Sequence, residues 1–159
     1  MSKPTTPFSK ADLLPQEEML EIQHKKGELF IGIPKENSYQ EKRICLTPDA
    51  VAAITAHGHR VMMESGAGEG ARFTDKDYSE AGATITKDTK KVFSCPMILK
   101  VEPPSVAEID MMNPATVLIS ALQLKTQAKS YFLKLAEKRI TALAFEFIRD
   151  DDGTYPYPT

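Results

Sequence analysis

The segment Met97–Pro104, "MILKVEPP", decides how the rest of the chain is read. Its apolar start has the composition of a strand buried on both faces, and two prolines stop it. Between them stands Lys100. An ammonium group at the mouth of a buried strand is costly unless it is paired or used.

Working outward, the same kind of strand recurs at residues 28–33 "ELFIGI", 59–65 "HRVMMES", 84–86 "TIT", 116–122 "TVLISAL" and 140–147 "ITALAFEF". Helical signals separate them. Residues 47–58 carry Thr47 as N-cap, Pro48 at the first helical position and Gly58 as stop. Residues 74–83 start at Thr74 or Asp75, residues 89–94 make a helical turn, and residues 125–139 are amphipathic. Strands of this kind alternating with helices predict βαβ units and a parallel sheet covered on both faces, an α/β fold. Residues 1–27 differ in character. A helix-like segment at residues 16–26 makes them an expected N-terminal extension, packed on the domain or on a second subunit. Residues 28–149 form the expected domain. Residues 150–159, "DDDGTYPYPT", are a turn and a proline-locked segment, expected to lead toward a domain that is not here.

Composition narrows the function. A chain of 159 residues fits one domain, and 42% hydrophobic with 26% charged residues is ordinary for a globular protein. A net charge of −2 gives no reason to expect nucleic acid. No apolar run is long enough for membrane insertion, and the polar start is no secretory signal. Cys45 and Cys95 lack metal-ligand spacing, and the three histidines are scattered, so no metal site is expected. Reduced thiols point to a cytoplasmic location.

In parallel α/β sheets, ligands bind outside the carboxyl ends of the strands. The first strand runs into a loop carrying Lys35, Glu36, Glu41, Lys42 and Arg43. The others end at Lys100, Gln123 and Glu146. Convergence of these polar groups on one crevice is the expectation. An arginine offers a fork for a carboxylate, and a lysine a second cation or proton donor beside a carbonyl. By position alone, Arg43 and Lys100 could equally be ordinary surface charges, and Glu146 the partner of one of them. "GAGEGA", residues 66–71, formally fits a dinucleotide fingerprint, but "RFTDKD" follows in place of an immediate helix. It reads as a glycine-rich turn, and no cofactor is expected to be held by this chain alone.

"IGIPKE", "EKRICLTPDAV", "GHRVMMESGAGEGARFTDKDYSEAGA" and "MILKVEPP" together resemble the N-terminal part of the alanine dehydrogenase and proton-translocating nicotinamide nucleotide transhydrogenase family, over about residues 29–156. The resemblance implies a Rossmann-like or flavodoxin-like substrate domain, followed in the full-length protein by an NAD-binding domain. It implies Arg43 and Lys100 as the residues that hold a small keto acid or amino acid such as pyruvate or alanine. Lys100 would also be catalytic. Gln123 stands where alanine dehydrogenases carry a histidine, and a glutamine cannot change protonation state. Two functions follow from the resemblance. One is an NAD-dependent alanine dehydrogenase working as a homo-oligomer. The alternative is the soluble alpha subunit of a proton-translocating transhydrogenase, in which this domain shapes the NAD(H) site and the dimer.

Overall fold

The computed structural model describes residues 27–38, 40–151 and 153. The helix-like segment at residues 16–26 and most of the expected linker lie outside the described residues. Six strands form one sheet: β1 (Phe30–Ile33), β2 (Arg60–Glu64), β3 (Thr84–Thr86), β4 (Met97–Leu99), β5 (Val117–Ser120) and β6 (Thr141–Ala144). Their order is β3-β2-β1-β4-β5-β6, and every pairing is parallel. This is the strand order of a Rossmann-like sheet. Five α-helices connect the strands: α1 (Pro48–Ala56), α2 (Asp75–Glu80), α3 (Thr89–Phe93), α4 (Val106–Met111) and α5 (Lys129–Glu137).

Strand alternation sorts the apolar side chains onto two faces. Ile31 and Ile33 of β1 and Val61 and Met63 of β2 join Val51 of α1 and Tyr78 of α2 in one core. Ile98 of β4 and Leu118 of β5 join Phe93, Ile109, Tyr131 and Leu135, from α3, α4 and α5, in the other. The sheet is therefore covered on both sides. Each fully buried aliphatic side chain contributes about 1.5–3 kcal/mol, so the two cores supply the main stabilisation.

Local chemistry sets the helix starts. Thr47 accepts from the Ala50 N–H with Pro48 behind it. Thr74 and Asp77 form a reciprocal capping box, and Asp88 caps α3. Gly58 ends the first connection with φ of 84°. Several boundaries differ from the sequence expectation, three of them for a visible reason. The "MILKV" strand stops at Leu99, because the Val101 and Glu102 N–H groups turn to a carboxylate instead of a neighbouring strand. The amphipathic helix begins only at Lys129, since residues 123–126 close a turn in which Thr126 N–H donates to the Gln123 carbonyl. β6 ends at Ala144 and passes into a 3-10 turn at Phe145–Phe147. Helix α4 was not expected at all, although Ser105-Val-Ala-Glu108 carries the capping-box pattern.

Gly32 lets α3 approach the sheet: a Cβ there would overlap the Val92 carbonyl oxygen and crowd Ile98 Cδ1 at 2.9 Å. Gly32→Ala is expected to lower stability by about 1–3 kcal/mol through overpacking, read as a lower urea midpoint at unchanged m-value.

Candidate active site at the strand-order reversal

The strand order reverses between β1 and β4, and in parallel sheets of this kind the crevice opens there. β1 ends at Ile33 and delivers Pro34, Lys35 and Glu36; β4 ends at Leu99 and delivers Lys100. The two deliveries meet. Glu36 Oε2 accepts from Lys100 Nζ at 2.7 Å, and its Oε1 accepts from the Val101 N–H at 2.6 Å. The Glu102 N–H reaches Oε2 at 3.3 Å. A second carboxylate comes from α4: Glu108 Oε1 lies 3.6 Å from Lys100 Nζ, while its Oε2 accepts from the Ser105 N–H at 2.7 Å. All three side chains are nearly closed to solvent, Lys100 at 1% exposure and each glutamate at 6%.

Burying these charges costs several kcal/mol per ion, offset only if each finds charge and hydrogen bonds. Glu36 does so with three donors, and Glu108 doubles as the cap of α4. The Cys45 thiol is pushed up to about 12, by burial first and by the charge of Glu36 second. Burial pushes Cys95 up to about 11. Neither cysteine is a thiolate nucleophile at neutral pH.

Two clefts flank this cluster. The first, about 510 Å³, is lined by Lys100, Glu102, Glu108, Gln123 and Tyr131 among others. The second, about 410 Å³, is lined by Lys35, Glu36, Glu41, Arg43 and Gly66 among others. Asn37 borders both. Lys100 and Gln123 thus share a cleft, Arg43 lies on the adjoining one, and the Glu36 carboxylate stands between the two cations.

The Arg43 guanidinium is 73% exposed and gripped by Glu41, Nε to Oε1 at 2.9 Å and Nη2 to Oε2 at 2.7 Å. The pair is mutual: Arg43 holds Glu41 below its ordinary value, and the hydrogen bonds to Glu41 raise Arg43. Gln123 sits at the end of β5 with φ of 48°, a left-handed conformation uncommon for a residue with a side chain. Its N–H donates to Glu146 Oε1 at 2.9 Å, so Glu146 fixes the backbone of Gln123.

The glycine run does not fit a dinucleotide. It turns into a 3-10 segment at Glu69–Ala71, and α2 starts only after Thr74. Gly68 packs against the Tyr78 ring, where a Cβ would meet Cε2 at 2.5 Å, and Asp75 takes the Gly66 N–H. At the reversal itself the first connection brings a carboxylate, where a pyrophosphate site needs free N–H donors. Sequence reasoning placed Glu36 in the right loop without a partner. It missed Glu108 and Tyr131, although the capping-box spacing marks the first.

An all-parallel sheet in this strand order, covered by helices on both faces and with a buried lysine at its reversal, defines the class of Rossmann-like α/β domains. Within that class, the model "Alanine dehydrogenase/PNT, N-terminal domain" matches residues 32–157, and the chain belongs to that family. It is 35% identical to an alanine dehydrogenase of Staphylococcus saprophyticus over 131 residues, 82% of this chain and 35% of that protein. Among solved structures, an L-alanine dehydrogenase superposes with a TM-score of 0.76 at 36% identity, over 80% of this chain and 35% of the other. A transhydrogenase from Sinorhizobium meliloti gives 0.70 at 28% identity, over 79% and 37%. The chain therefore spans about a third of the length of these relatives.

Two outcomes follow from the charges. Glu36→Ala leaves the Lys100 ammonium buried beside Glu108 alone and is expected to cost about 3–5 kcal/mol in urea unfolding. Adding Lys100→Met recovers part of that loss by removing the stranded charge. For Glu41 the folded-state pKa is depressed. Its contribution is therefore present above the unfolded value of about 4.3 and is lost as pH falls through the lowered one. Arg43→Ala should flatten that part of the acid limb in a pH series of melting temperatures.

Proposed function

We propose that this chain is the substrate domain of an NAD-dependent alanine dehydrogenase, whose full-length form converts L-alanine, NAD+ and water to pyruvate, ammonia and NADH. The observation that carries the reading is the sequestered Lys100 ammonium at the strand-order reversal, with the Arg43 guanidinium on the adjoining cleft.

The parts act in order. Arg43 already presents its fork to the two oxygens of Glu41, so it can exchange that carboxylate for the one of the substrate. Lys100, positioned by its ion pairs with two glutamates, polarises the oxygen on C2 of the oxo acid. Gln123 donates or accepts a hydrogen bond there but moves no proton, which leaves proton transfer to Lys100 and water. NAD supplies the hydride acceptor. The described residues do not fit it, so the remainder of the longer protein would hold it. The reading includes a homo-oligomer working in the cytoplasm, in keeping with two free thiols. No helix among the described residues is long and apolar enough to cross a membrane.

A second reading, the soluble alpha subunit of a proton-translocating transhydrogenase, is favoured by one residue: Gln123 offers no titratable group at the cleft. In that case the domain shapes the NAD(H) site and binds no amino acid.

Pyruvate- and ammonia-dependent NADH oxidation by the full-length protein separates the two. Arg43→Ala, an exposed change that the fold should tolerate, is expected to lower kcat/KM by about 2–5 kcal/mol of transition-state binding, and Lys100→Ala to abolish activity. Unchanged kinetics in both variants would remove the dehydrogenase reading. Hydride exchange between NADH and an NADP+ analogue, indifferent to pyruvate, would establish the second.

A further inference from the structure

Tyr131 packs in the core, but its hydroxyl is a group that neither the fold nor the proposed reaction has used. The residue lies in the first turns of α5 with 4% of its surface exposed, and its ring packs edge-on against Phe132 with centroids 5.5 Å apart. The ring belongs to the core beneath α4 and α5. Its hydroxyl does not belong there: the oxygen is buried and has no hydrogen-bond partner among the described residues. Native structures satisfy nearly all such groups, and a buried hydroxyl left alone costs about 1–3 kcal/mol. A phenylalanine would fill the same space without that cost.

The position of this unpartnered hydroxyl suggests why it is there. Tyr131 lines the cleft that also holds Lys100 and Gln123. Burial, with the nearby Glu108 charge adding to it, pushes the phenol up to about 12, so it is a proton-bearing donor across the whole neutral range. Glu108 is already committed to the Ser105 N–H and to Lys100. None of the other side chains lining the cleft accepts from the phenol.

We propose that Tyr131 is a ligand-binding residue, donating its O–H to an acceptor oxygen of the small oxo acid held at Lys100. The inference rests on the reading of this cleft as an oxo-acid site. It assigns Tyr131 a hydrogen bond, with no proton transferred and no bond broken. The donor takes part of the polar contact that Gln123, fixed at its backbone by Glu146, supplies without titrating.

The test uses the full-length protein and Tyr131→Phe. Three quantities are measured: the melting temperature, the KM for pyruvate in the NADH oxidation assay, and the dissociation constant of oxalate by calorimetry. Oxalate is an unreactive dicarboxylate that presents an oxygen on the carbon next to its carboxylate, so its binding is read without turnover. The expected result is a melting temperature equal to wild type or higher, with KM and the oxalate constant each weakened about tenfold, the loss of one hydrogen bond. Constants within twofold of wild type, or a fall in melting temperature with unchanged constants, would overturn the assignment and leave a phenol satisfied by solvent. If the wild type binds oxalate tightly and Tyr131→Phe weakens it, but pyruvate is not turned over, the dehydrogenase reading falls and Tyr131 stands. If pyruvate is turned over and Tyr131→Phe changes neither constant, Tyr131 alone falls. A wild type that neither binds oxalate nor reduces pyruvate overturns both.

Discussion

The contact on which the site depends is the ion pair between Lys100 and Glu36, completed by Glu108. It joins the carboxyl ends of β1 and β4, where the strand order reverses, and its two partners are 64 positions apart in the chain. A charge in such a place cannot be neutral in its consequences. Left unpaired it would cost more than several buried aliphatic side chains return. Paired as it is, it fastens the loop after β1 to the end of β4, through Nζ and two backbone N–H groups on one carboxylate. The same bonds that hold the loop fix the ammonium in place, so architecture and chemistry are joined in one residue.

The arrangement of charge around Lys100 also divides the surface. Two carboxylates face one ammonium, and Glu36 borders the cleft on which Arg43 lies. Each cation has its own acid: Lys100 is held by Glu36 and Arg43 by Glu41. Glu36 thus serves both clefts: it holds Lys100 on one and borders Arg43 on the other.

The glycine-rich run shows why a motif needs its structural setting. "GAGEGA" has the letters of a phosphate loop, yet Gly68 serves packing against Tyr78 and Phe73, and the Gly66 N–H is taken by Asp75. The true switch point has a carboxylate where such a loop would place donors.

Much of this was legible in the residues alone. Apolar runs of four or five, helices opened by Thr47-Pro48 and Thr74, and a stop at Gly58 specify a parallel, two-sided sheet, because strand burial and capping are local properties of consecutive residues. The rule for strand ends then named Lys100, Gln123 and the loop of Glu36 and Arg43. The pairing itself was not legible. Glu36 was one acid among several in a loop, and nothing within a few residues of it shows that its partner is a lysine beyond three more strands. Glu108 was hidden for a related reason: its spacing to Ser105 marks a cap, while its contact with Lys100 exists only once α4 packs beside β4. The orphaned hydroxyl of Tyr131 is likewise a property of the packed state, since in sequence it is one apolar position on a helix face. Hydrophobic period and capping are written along the chain. The neutralisation of buried charge and the satisfaction of buried donors are decided only when remote segments share a space that excludes water.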